Sequence, residues 1–176
     1  MSLIARTELY VGRLGSFGLE EVRLPNGVTT ELAVLRHPGA AAVLPLHDDG
    51  TVTLVRQHRH CTGGRLWEIP AGKIDGDEAP EICAARELAE EAGLAGTLRH
   101  LTTIWTAPAF TDERIALYVA TDLRAVPSAL EEDEVLDVVR LPLVEVQDMI
   151  ARGELTDAKS LCAILLATAA DGASPT

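Results

Sequence analysis

Two tight-turn signals set the character of the N-terminal third of the chain. Pro25-Asn26-Gly27 and Asp48-Asp49-Gly50 each stand between two runs of β-prone residues, 20–24 with 28–35 and 41–46 with 51–57. Asn-Gly suits a hairpin turn because both residues tolerate positive φ, and Asp and Gly serve the second turn for a similar reason. A more polar run, 8–14, precedes them and carries Leu9, Val11 and Leu14. Further strands are expected over 98–105, 114–121 and 135–141. Helical period governs 79–92 and 157–170, with a shorter helix over 143–152. Pro127-Ser128 and the acidic run 131–134 read as loop, and 171–176 as a frayed tail. The expected class is α+β, a mixed sheet with two or three helices.

The chain has 176 residues, a normal size for one domain, and its net charge is −12. An acidic chain is a poor unspecific nucleic-acid binder, which needs basic groups to neutralise phosphates, so no nucleic-acid partner is expected. If the substrate is itself anionic, a cation must mediate the contact, and a bound divalent metal is the simplest choice. Aromatic residues are only 3%, which leaves Leu, Val, Ile and Ala to build the core. The three cysteines, Cys61, Cys83 and Cys162, show no CxxC spacing and are expected to be free thiols in a reducing compartment. No segment resembles a signal peptide, and the longest apolar runs are too short for a membrane span. A cytoplasmic protein without a membrane partner is expected.

The stretch 72–94 is the most informative. Pro80 suits a first helical turn, Ala84, Ala85, Leu88 and Ala89 favour helix, and Gly93 suits a C-terminal cap. At about 100° per residue, Glu87, Glu90 and Glu91 share one sector, while Ile82, Ala85, Leu88, Ala89 and Ala92 lie opposite and are expected to pack inward. Arg86 is placed to pair with Glu90 four residues on. Crowded carboxylates repel one another, and hard divalent cations with oxygen ligands relieve that repulsion. Mg²⁺ uses a few carboxylates and completes its shell with water and phosphate oxygens, which suits phosphoryl chemistry. Taken alone, the acidic face is also compatible with ordinary solvated salt bridges, and the flanking residues decide.

Gly72, Glu78, Arg86, Glu87, Leu88, Glu90, Glu91, Gly93 and Leu94 reproduce the spacing of the Nudix box with no departure. Chance occurrence of that pattern is on the order of one in ten million. The chain therefore resembles the Nudix family. The resemblance implies an α/β/α sandwich with a mixed sheet, and hydrolysis of a nucleoside diphosphate linked to another group. It also implies Mg²⁺, with Mn²⁺ as a possible substitute. Carried over by position, Glu87 and Glu91 are the principal metal ligands, Glu90 assists, and the Ala71 carbonyl also faces the metal. Arg86 orients the carboxylates, Glu78 braces the loop, and Gly72 permits a close turn.

The likeness extends to an ADP-ribose pyrophosphatase branch. It rests on Val55-Arg56-Gln57-His58-Arg59, on Trp67-Glu68-Ile69-Pro70-Ala71-Gly72, on 107–113 around Pro108 and Phe110, and on 152–159. Ala107 and Ala109 depart from the Ser and Gly usual there. The branch implies ADP-ribose as substrate, with AMP and ribose 5-phosphate as products. GDP-mannose or another nucleotide sugar is one alternative, and a non-catalytic nucleotide sensor is another. Arg59 matches an arginine that contacts phosphate, and Arg56, Glu68 and Phe110 are further substrate-wall candidates. Trp67 reads as core. Glu131, Glu132 and Glu134 are the candidates for the catalytic base, with Glu132 preferred because Glu132-Asp133 matches the branch. The branch also implies a homodimer joined through N-terminal strands, so the chain divides into a strand region 1–38, a hydrolase domain 39–170 and the tail 171–176. Those strands could equally close on their own chain.

Overall fold

The computed structural model describes residues 1–130 and 135–172. Three strands form an N-terminal antiparallel sheet, β1 (Ser2–Gly12), β2 (Gly15–Arg23) and β3 (Thr29–Arg36), in the order β1-β2-β3. The Asn-Gly turn joins β2 to β3, with Gly27 at φ 85°. The expected run 8–14 is thus the end of one long strand plus a turn, because β2 is close enough in sequence to extend the pairing back to Ser2.

The main sheet is mixed. β4 (Ala40–Pro45) runs parallel to β9 (Arg114–Ala125), and β9 pairs antiparallel with β8 (Leu94–Trp105). The short β7 (Ala71–Lys73) closes the other edge against β4, giving the order β7-β4-β9-β8. β5 (Thr51–Arg59), β6 (Gly64–Glu68) and β10 (Leu136–Pro142) make a separate antiparallel sheet in the order β10-β5-β6. Asp48-Asp49-Gly50 therefore carries the chain between two sheets, and an isolated bridge from Leu46 to Val52 spans this turn. Sequence periodicity does not announce β6 or β7. They have five and three residues, Pro70 lies between them, and each becomes a strand only by adding to an edge already formed.

Strand β4 is buried along its whole length and divides the core by alternation. Ala40, Ala42 and Leu44 face one side with Ile115 and Leu117, where α2 (Leu143–Ala151) and α3 (Ala158–Gly172) contribute Val146, Met149, Ala163, Ile164 and Ala167. Ala41 and Val43 face the other with Ala116, Tyr118 and Ala120, where α1 (Pro80–Ala92) contributes Cys83, Ala84 and Leu88. The small alanines let helices approach on both faces, which makes the expected α/β/α sandwich. Among the described residues, no helix is long and apolar enough to cross a membrane.

Helix α1 lies where expected, with Ala79 as N-cap, Pro80 in its first turn and Gly93 as a left-handed C-cap at φ 63°. Its inward face is not the expected one. Ile82 is 60% exposed and Ala85 is also exposed, whereas Cys83, Ala84, Glu87, Leu88 and Glu91 are buried. Relative to the apolar stripe, the helix is turned so that two glutamates occupy the middle of its covered face. Hydrophobic periodicity misplaces the face because it assigns every carboxylate to solvent.

Leu88 is fully buried and Ile82 is not, so Leu88→Ala is expected to cost about 2–5 kcal/mol. Ile82→Ala should stay within about 0.5 kcal/mol. Urea unfolding of the two variants measures both, and the reverse ranking would contradict this helix orientation.

Candidate active site

The segment entering β7 is clamped from both sides. Val43 N–H donates to the Pro70 carbonyl at 2.9 Å, and Ala71 N–H donates to Glu91 Oε2 at 3.0 Å. This ties the loop to the central strand and to the covered face of α1. Gly72 follows, and a Cβ built there would lie 1.8 Å from Glu87 Oε1. Only glycine lets the Glu87 carboxylate rest against this backbone. Glu87 and Glu91 are 6% and 2% exposed, a costly state for carboxylates unless they are partnered.

Arg86 supplies part of the compensation. Its Nη1 donates to Glu87 at 2.6 Å and to Glu90 at 3.0 Å. Its Nε and Nη2 each donate to Glu78 at 3.1 Å, and Nη2 also reaches the Lys73 carbonyl. One guanidinium thus staples the helix to the loop over 73–78. Hydrogen bonding to Glu78, against some desolvation, raises the Arg86 pKa, and the same bond holds the Glu78 carboxyl below its ordinary range. Cys83, behind this cluster, is pushed up to about 12 by burial and is an unreactive thiol.

A cleft of about 580 Å³ opens over these residues. Glu87, Glu91 and Arg86 form one wall, Gln57 and Arg59 of β5 another, and Arg13 arrives from the β1–β2 turn. Gln57 is 8% exposed, and its Oε1 has no hydrogen-bond partner among the described residues, which leaves a buried acceptor at the cleft. Arg59 is held by a two-point fork, with Nε to Glu68 Oε1 and Nη2 to Glu68 Oε2, both 2.8 Å.

The other expected substrate residues are not brought to this cleft. Glu68 is 2% exposed, and its Oε2 also accepts from Lys159 Nζ at 2.6 Å, so it faces protein cations rather than open space. Burial alone would raise its pKa, but Arg59 and Lys159 outweigh that and keep the carboxyl below its ordinary range. Arg56 points the other way along the alternating strand and stacks over Trp67, 5.4 Å from the ring centroid. Trp67 itself packs partly buried against the core, as expected. Phe110, 54% exposed, lines a separate apolar hollow with Trp105 and Val34. The loop carrying it is committed to the N-terminal sheet: Leu35 N–H donates to the Phe110 carbonyl at 2.8 Å, and Arg36 and the His37 N–H both bind Asp112. Glu131, Glu132 and Glu134 lie outside the described residues. Arg13, Gln57 and Lys159 are the residues sequence reasoning did not single out. Gln57 and Lys159 sit inside noted motifs, whereas Arg13 has no local signal because only the hairpin's placement brings it here.

The ligands expected from the sequence, Glu87, Glu90, Glu91 and the Ala71 carbonyl, would all offer oxygen, a chemistry that suits a hard divalent cation rather than a soft one. Among the described residues, no three His, Cys, Asp or Glu side chains converge on one point. Arg86 accounts for this: it stands between Glu87 and Glu90, while Glu91 is drawn to the Ala71 amide. The glycine cradle at Gly72 and the burial of two carboxylates are features that a salt-bridged surface helix does not require.

Residues 35–164 match the model of the NUDIX domain. The chain is 37% identical over 166 residues to the ADP-ribose pyrophosphatase of Mycobacterium tuberculosis (strain ATCC 25618 / H37Rv), covering 92% of this chain and 80% of that one. It is 36% identical over 136 residues to the GDP-mannose pyrophosphatase of Enterobacter sp. (strain 638), covering 72% and 71%. A crystal structure of an ADP compounds hydrolase superposes with a TM-score of 0.83 at 24% identity, covering 99% of this chain and 96% of the other, a likeness of fold.

The atom closest to a Cβ at position 72 is the far end of a flexible side chain. Gly72→Ala is therefore expected to displace the Glu87 carboxylate and leave the fold intact. Mn²⁺ affinity by calorimetry should fall about 10–100-fold with unchanged circular dichroism. Unaltered affinity would show that the cradle does not matter.

Proposed function

The chain belongs to the Nudix family and is a Nudix hydrolase, and from that premise we propose that it cleaves the diphosphate bond of ADP-ribose or a related nucleoside diphosphate sugar in the cytoplasm. With ADP-ribose the products are AMP and ribose 5-phosphate. The observation that carries this reading is a single cleft that joins two buried carboxylates, Glu87 and Glu91, to a guanidinium, Arg59, held in a fixed plane by Glu68. Such a cleft suits a metal-neutralised diphosphate.

Family membership implies a divalent metal, and Mg²⁺ is the cation we propose, with Mn²⁺ able to replace it. Glu87 and Glu91 are its principal ligands, and Glu90 and the Ala71 carbonyl complete the protein's share. When bound, the cation neutralises diphosphate charge and acidifies water at the site. The remaining work belongs to side chains. Arg86 keeps Glu87 and Glu90 oriented, and Glu78 holds Arg86 to the loop. Arg59 presents its unused N–H groups to paired phosphate oxygens. Water attacks one phosphorus, the bridging P–O bond breaks, and the water's proton passes to a carboxylate base. Glu132 is the preferred base, with Glu131 and Glu134 as alternatives. Support comes from the far end of their segment: the Val135 carbonyl accepts from His58 N–H at 3.1 Å, and His58 lines the cleft.

A second reading, GDP-mannose as substrate, is favoured by the GDP-mannose pyrophosphatase relative. We also propose a homodimer through the strand region 1–38, ahead of a hydrolase domain over 39–170. Leu3, Ile4, Leu9, Tyr10, Val11 and Leu14 are all exposed on this hairpin, apolar side chains on both of its faces that a second copy would help to cover.

A panel of nucleoside diphosphate sugars assayed with Mg²⁺, Mn²⁺ or EDTA, with product analysis, tests the reading. ADP-ribose should give the highest kcat/KM, and EDTA should abolish turnover. Glu91→Gln should lower kcat more than about a hundredfold, beyond what loss of an outer contact costs. Near-normal turnover by that variant would remove Glu91 from the ligand set. Light scattering should return twice the chain's 18.8 kDa, and a monomer would end the dimer proposal.

A further inference from the structure

Helix α3 begins at the back of the cleft, and its first turn is unusually polar for a helix that otherwise packs on the core. Asp157 Oδ2 accepts from Ser160 N–H at 3.0 Å and from Ser160 Oγ at 2.5 Å. Ser160 Oγ in turn accepts from the Ile69 N–H at 2.8 Å, tying this turn to the strand that carries Glu68. Between them lies Lys159, whose side chain is 11% exposed. Its ammonium bridges two carboxylates, Glu68 Oε2 at 2.6 Å and Asp157 Oδ2 at 3.0 Å. Lys159 and Arg59 also line a common hollow of about 210 Å³ beside Ala71 and Gly72, on the wall of the cleft.

We propose that Lys159 is a positioning residue for Arg59, acting through Glu68; this rests on the reading that Arg59 meets the substrate diphosphate. The physical reasoning concerns the plane of one carboxylate. A fork between Arg59 and Glu68 makes the two groups coplanar, so whatever fixes the carboxylate fixes the guanidinium. Nothing in the fork itself stops both from turning together. Lys159 stops them, because it holds Glu68 Oε2 from a helix that is itself pinned by Asp157 and Ser160. Lys159 also gives Glu68 a second counter-ion. Without it, Arg59 alone would neutralise a buried carboxylate, and a phosphate would have to compete with Glu68 for the same guanidinium. The lysine thus leaves Arg59 both aimed and available, and it does so without touching substrate.

The test is a double-mutant cycle on the full chain with ADP-ribose and Mg²⁺, beside calorimetric binding of ADP in EDTA. Lys159→Met should raise KM about tenfold and weaken ADP binding by a similar factor, with kcat within about twofold, the pattern of lost uniform binding. Lys159→Arg, which can still bridge two carboxylates, should recover most of the loss. In an Arg59→Gln background, Lys159→Met should change KM and ADP affinity by less than about twofold, because its route to the substrate is gone. Thermal melting is followed for each variant, and Lys159→Gln replaces Lys159→Met if the latter does not fold. Unchanged KM in the single variant, additive effects in the double variant, or no recovery with arginine would each overturn the proposal. If the wild-type chain hydrolyses no nucleoside diphosphate sugar, the functional reading fails instead, and the ADP-binding cycle still decides whether Lys159 and Arg59 act as one unit.

Discussion

Two carboxylates in the middle of a helix's covered face are the constraint on which the rest of this structure depends. Glu87 and Glu91 occupy the side of α1 that a purely structural helix would fill with leucine or alanine. Burying them is unfavourable unless each finds donors, and the surrounding chain is arranged to supply them. The Ala71 amide reaches Glu91, the Arg86 guanidinium reaches Glu87, and Gly72 leaves out the side chain that would collide with it. The short strand β7 and the loop after it follow from these contacts. They are held less by their own sequence than by the helix they must cover.

The opposite wall of the cleft is built on the same principle with the charges reversed. Arg59 is a cation that needs to be fixed, and Glu68 is a nearly inaccessible carboxylate that fixes it. Glu68 reads as a substrate contact in the sequence because it lies in a motif beside the candidate site residues. Burial gives it a different task, which is to shape the cationic group that does face the cleft. The N-terminal sheet is joined to the hydrolase core by a similar buried acid. Glu20, 2% exposed, accepts from Arg6 and Arg36, and Arg36 continues to Asp112 on the loop that carries Phe110. That loop is thereby fastened to the N-terminal sheet, and Phe110 lies against that sheet with Val34.

Much of the molecule was legible from residues alone. The Asn-Gly turn, the capping pattern of α1, the strand-like run at 41–46 and the terminal helices all have local causes: turn conformation, cap chemistry and apolar period. The box residues were equally legible, because their spacing is a property of the chain and needs no folding to be counted. Orientation of α1 was not. Ile82 and Ala85 look like core by period and are exposed, since the buried Glu87 and Glu91 break the rule that polar residues face water.

By itself, then, the sequence determined the family, the box, the order of most elements and the α+β class, because each rests on local chemistry or on spacing. Tertiary structure alone decided which residues meet. It turned the carboxylates of α1 inward, drew Arg86 between Glu87 and Glu90, and placed Arg13 at a cleft almost sixty residues from the box. It also set Lys159 against Glu68, ninety-one residues away in the chain. Contacts at such separations come from sheet order and helix docking, which depend on the whole core closing at once, and no local pattern records them.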